Sequence, residues 1–149
     1  MSFEPFDTGL IEKRLQTEVT ELQFVGGAAD YAAVEELRSF RTPSGYVVFA
    51  DDENTSSVPD SQFVLSQEAL VKFGVVLALR NYGGQRGDQM ADEARKLIGK
   101  VRGALIGHKP CKGARVVGWM SGKVLDYNAS VLLFADLYRV NYVMTKDGC

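Results

Sequence analysis

Few residues in this chain are equipped for bond-making chemistry. His108 is the only histidine, so any scheme in which an imidazole activates a serine or cysteine must run through it. Cys111 follows three residues later, across Pro110. A His-x-x-Cys pair supplies two metal ligands where a structural zinc site takes four, and Cys149 is the only other cysteine. An ordinary loop after a helix is the expectation here. Gly83-Gly84-Gln85-Arg86-Gly87 falls between a strand pattern and a helix pattern, where helix N-terminal amides attract anions. It fits neither the dinucleotide fingerprint nor the Walker loop, and Asp88 at the cap repels phosphate; a tight turn is expected. In Gly118-Trp119-Met120-Ser121-Gly122 the serine is displaced by one position from its place in a nucleophile elbow, which leaves a strand with small residues. Asp51-Asp52-Glu53 lacks the glycine and spaced oxygens of a calcium loop. No catalytic residue, metal ligand set or cofactor is assigned, and the chain is expected not to be an enzyme.

The elements that hold these residues must fit one core, since 149 residues is the size that a single hydrophobic core usually serves. One domain over 1–149 is expected. A composition of 46% apolar and 24% charged residues is that of a globular protein and argues against disorder, collagen and coiled coil. No apolar run approaches the roughly 18 residues that span a bilayer, and the N-terminus resembles neither a cationic signal nor a myristoylation site. A reducing cytoplasm is therefore expected, with Cys111 and Cys149 as thiols. Charge is unevenly placed. Residues 1–60 hold twelve acids against four bases, and residues 95–123 hold eight bases and no acid. Opposite-sign faces on identical copies attract head to tail, the kind of contact that closes a ring; two solvated faces are the alternative. The overall pI of about 5.4 does not suit a nucleic-acid binder.

Ile11, Leu15, Val19 and Leu22 recur at helical spacing, which predicts an amphipathic helix with Asp7 as its cap and Phe6 stapled on Ile11. Gly26-Gly27 is expected to end it or its short extension. Ala28 to Leu37 suits a short second helix. Tyr46 to Ala50 reads as a strand between turn residues, and the polar stretch of about 51–64 as a long loop. Between Gln67 and Tyr82 the odd positions from Ala69 to Leu79 are all apolar, which predicts a long strand with one face on the core. Met90, Ala94, Leu97, Ile98, Val101 and Leu105 mark a helix capped by Asp88 and stopped by Gly107 and Pro110. Two strands follow, over Val117 to Leu125 and Val131 to Met144, joined by a hairpin at Asp126-Tyr127-Asn128-Ala129. The mixed parity of Asp136, Arg139 and Asn141 predicts a bulge between Asp136 and Arg139. The fold expected is α+β: a mainly antiparallel sheet of about four strands, covered on one face by two main helices. Apolar residues on both parities of the last strand leave the second face to be covered by a partner, or by a loop or the short second helix.

In this order of elements, the Gln67-Glu68 to Arg80 strand of the form Q-E-x-L-x-x-F-x-V-x-L-x-x-R, the capped helix, the Pro110-Cys111 turn and the two closing strands resemble the tail terminator proteins of long-tailed phages. The likeness is greatest to the Mu-like branch and more remote to the lambda-type terminators, and it covers almost the whole chain. The resemblance implies a structural protein of the virion's tail-neck junction, assembled in the host cytoplasm. It implies a typically hexameric ring that caps the tail tube, stops its polymerisation and offers a surface for head attachment. Its partners would be further copies of itself, the tail tube protein and a head-tail connector or stopper protein. Phage DNA would pass through the lumen without sequence-specific binding, and no membrane is involved. Charge and loop placement nominate Asp51, Asp52 and Glu53 as a loop ordered by assembly, and Arg80, Tyr82 and Arg86 as contacts to an adjacent subunit or the tube. Lys96, Lys100, Arg102, Lys109 and Lys112 are nominated to complement the acidic half across the ring. Another phage neck or tail-completion protein, or a small ligand-binding domain with a pocket near His108, are the alternatives.

Overall fold

A computed structural model describes residues 3–56, 66–81 and 91–145. In chain order the elements are helix α1 (Gly9–Glu18), strand β1 (Phe24–Gly27), helix α2 (Ala28–Ala32), a 3-10 turn (Leu37–Ser39), strands β2 (Ser44–Asn54) and β3 (Ser66–Arg80), helix α3 (Asp92–Leu105), and strands β4 (Gly118–Tyr127) and β5 (Val131–Thr145). The strands form one five-stranded sheet in the order β1-β2-β3-β5-β4. Only β1 and β2 run parallel; the other three ladders are antiparallel. The α+β class and the mainly antiparallel sheet agree with the sequence reading, with one strand more than expected.

The alternation in β3 divides the molecule into two apolar layers. Its odd residues Val71, Phe73, Val75, Leu77 and Leu79 pack with Ile11 and Leu15 of α1 and with Ile98, Val101 and Leu105 of α3. This is the face on which the two main helices lie. Phe6 is buried in the same core as Ile11, its ring packing on Phe73 at 6.4 Å and edge-on to Tyr142 at 5.7 Å. Asp7 helps close the helix by accepting the Gly9 amide at 2.8 Å, although the capping position itself is Thr8. The even residues Val76 and Ala78 join Tyr46, Val131 and Leu133 in a second cluster, covered by Phe24, Tyr31, Leu37 and Phe40. The short second helix and the turn after it therefore cover one end of the second face, which settles that alternative in favour of the chain's own segment there.

Four expectations are corrected. Phe24–Gly27 is a strand, not the tail of a helix, because its backbone pairs in parallel with Ser44 to Val47. Asp51, Asp52 and Glu53 are not in a loop: they continue β2, opposite Lys72, Val71 and Leu70. Asn54 also belongs to β2, Thr55 and Ser56 follow it outside any strand, and 57–64 of that predicted loop lie outside the described residues. No bulge interrupts β5, which pairs with β3 without a shift from Val131 to Thr145; the extra residues are in β4, Met120 opposite Leu137 and Tyr138 and Leu125 opposite Leu133 and Phe134. Cys111 is disulfide-bonded, not the expected thiol. Asp88, Met90 and the glycine-rich turn lie outside the described residues, and α3 begins with Asp92 and Glu93 in its first turn, where acids favour the helix dipole.

Candidate assembly surface

Asp136 is the chemical centre of the exposed flank. It sits on the helix face of β5, opposite Val75, with its side chain fully buried. A bare carboxylate there would be costly, so donors converge on it. Arg102 of α3 donates from Nε and Nη2 to the two carboxylate oxygens at 2.9 and 2.8 Å. Trp119 Nε1 donates at 3.0 Å and the Tyr138 hydroxyl at 3.0 Å. Burial and the neighbouring carboxylate push the Tyr138 hydroxyl well above its ordinary range, so it stays a donor at physiological pH. The Arg102 guanidinium stacks on the Trp119 ring at 4.8 Å and is held still more firmly in its charged form by Asp136. Gly122 gives the cluster room: a Cβ there would fall 2.6 Å from Asp136 Oδ1 and 2.7 Å from Arg102 Nη2.

Beyond this cluster the flank is open. Every residue of β4 from Trp119 to Tyr127 is exposed, and among them Trp119, Val124, Leu125 and Tyr127 each show more than two fifths of their surface. Ile106 and Val116, in the segment leading into β4, are exposed to 50% and 57%. A shallow cleft of about 420 Å³ lies alongside, with Phe134 as floor and Arg95, Lys96, Gly99 and Arg102 along the α3 wall.

The nominated residues separate into distinct places. Asp51, Asp52 and Glu53 project from the exposed distal half of β2. Arg80 is the exposed last residue of β3, level with Val131, while Tyr82 and Arg86 lie outside the described residues. Lys96 is exposed on α3, and Lys100 reaches the carboxylate of Glu21 in the acidic half of its own chain, which holds that acid below its usual range. Arg102 is committed to Asp136. Lys109 and Lys112 are exposed in the segment before β4. Sequence reasoning missed Arg115, Trp119 and Asp136. The lone tryptophan beside two glycines and an acid on the core parity of the last strand were the available signals.

Around His108, the imidazole is held below its ordinary pKa by partial burial and by Arg14, and Cys111 is already bonded, so the two do not form an activated pair. Among the described residues no group of three His, Cys, Asp or Glu side chains could hold a metal ion, and no helix is long and apolar enough to cross a membrane. The flank offers exposed apolar side chains and uneven charge.

No curated protein matches the chain in sequence. The family described as "Phage tail terminator protein" matches residues 1–148, nearly the full length, so the chain belongs to the phage tail terminator family, a family of structural proteins of the virion tail.

Proposed function

We propose that copies of this protein close into a ring, typically of six, on the last ring of the tail tube, stop its polymerisation there and provide the surface to which the head attaches. Family membership gives the tail role. The observation that carries the rest is the distribution of charge and apolar surface on one rigid sheet. The flank 106–127 has four bases, one acid and a band of exposed apolar side chains, whereas the exposed half of β2 at the opposite side has three acids and no base. Surfaces that complement one another but lie on different sides of the molecule join copies head to tail, and such contacts either close or grow without limit. A closed ring ends growth when one of its faces copies the tube's addition surface and the other cannot accept a tube subunit. Phage DNA passes through the lumen, and the partners are the tube protein below and a connector or stopper protein above. The protein works by binding, without catalysis or cofactor.

Electron microscopy of the purified protein with and without tail tubes tests this. Rings, or caps on tubes of fixed length, are expected, and phage lacking the protein should make overlong tubes without heads. Stable monomers indifferent to tubes, or normal tails on filled heads in its absence, would overturn the proposal.

A further inference from the structure

We infer that neighbouring copies join sheet edge to sheet edge, with the flank formed by β4 and the segment leading into it receiving the distal half of β2 from the next copy. The inference rests on the ring reading above and names the contact that closes it.

Both edges are open. β1 covers β2 only from Ser44 to Val47, so among the described residues no strand pairs with the outer side of β2 from Phe49 to Asn54. Among the described residues β4 has β5 on one side and no strand on the other. At the height of the open half of β2 the facing flank is the start of β4 and the segment before it, where Val117 already exchanges backbone hydrogen bonds with Gly107 and His108, so the contact is made by side chains. β4 carries two bulges and Lys123, features that blunt a strand edge, yet it exposes apolar side chains, Trp119 and Val124 toward the helices and Met120 and Leu125 at the bulges.

Chemistry matches the edges to each other. The β2 edge offers Phe49, itself 38% exposed, together with Asp51, Asp52 and Glu53. Across the sheet Asp52 pairs with Val71, which pairs with Val140, and the Arg115 amide donates to Asn141 O at 2.8 Å. Arg115 therefore stands at the same height on one edge as the three acids on the other, with Lys112 nearby in the chain. A copy carried sideways around a ring, with little rise along its strands, brings the acids against these bases and Phe49 against Val116 and Trp119. Trp119 is held in place by Asp136 and Arg102 before any partner arrives, so docking on it costs little ordering entropy. Because the two edges are on opposite sides of one sheet, a copy cannot satisfy itself, and each contact leaves one edge of either kind open for the next neighbour.

Exchanging the charges tests the contact. One variant carries Asp51→Lys, Asp52→Lys and Glu53→Lys; the other carries Lys112→Glu and Arg115→Glu. All five side chains are exposed, and circular dichroism checks that both variants fold. Sedimentation, alone and with tail tubes, should show self-association of each variant weakened by about tenfold or more, and the equimolar mixture restored to wild-type assembly, since every contact in an alternating ring is again between opposite charges. Variants that assemble as the wild type does, a mixture that fails to recover, or variants that keep their rings and lose only tube binding would overturn the edge contact and leave the ring reading standing. A wild-type protein that stays monomeric with and without tubes would overturn both.

Discussion

At Asp136 a carboxylate with a fully buried side chain accepts from a guanidinium, an indole N–H and a phenol at once. Removing one partner of such a pair leaves a buried charge, which costs far more than the pair itself contributes. Arg102→Met should therefore lower unfolding free energy by about 3 kcal/mol, read from urea titrations, while leaving Trp119 without its stacking partner. Gly122→Ala places a methyl group where Asp136, Arg102 and Phe134 already stand; overpacking of that kind costs about 1–3 kcal/mol. The lone tryptophan is part of the cluster, so its emission reports both changes directly. The sequence pattern at this point was legible but ambiguous. An acid on the apolar parity of a strand reads equally as a bulge or as a buried group, and the partners that decide, Arg102 and Trp119, lie 34 and 17 residues away.

Helices and long strands were readable because their periods repeat. The buried stripe Ala94, Ile98, Val101 and Leu105 of α3, and the odd residues of β3, are where their spacing places them. β1 was not readable: Phe24-Val25-Gly26-Gly27 has half its residues as glycine and is a strand only because a distant segment pairs with it. The acids of β2 carry a loop's composition for the same reason, their strand conformation being supplied by Lys72, Val71 and Leu70 opposite. On α1, Glu12 is held above its ordinary pKa first by burial, then by Asp30 and Asp7. A raised carboxylate stabilises the fold fully below the unfolded value, near 4.5, and that contribution is lost as pH rises through the folded value. Glu12→Gln removes the loss. Melting temperatures should coincide with wild type in acid and favour the variant increasingly above that window, the reverse of the usual effect of deleting a carboxylate.

Over the whole molecule, the tail role was legible because the order of elements carries the family likeness across 1–148, but the assembly surface was only partly so. Lys96, Lys100 and Arg102 share one helix, yet two of them are spent on Glu21 and Asp136 of their own chain, which moves the uncommitted positive charge to the flank of Lys112 and Arg115. Attraction between exposed charges is screened within about 10 Å at 0.1 M salt and about 3 Å at 1 M. Self-association should accordingly weaken as salt rises between those concentrations and keep a residual, salt-insensitive part from the apolar band around Trp119, which sedimentation across a salt series measures.

The ladder between β3 and β5 joins fifteen residues of each strand without a break in register. Tension along the strand direction loads all of its hydrogen bonds in shear together, and they cannot be peeled apart one after another. A molecule strung on such a seam resists being stretched along its axis far better than across it, a mechanical anisotropy suited to a structural component of a virion tail.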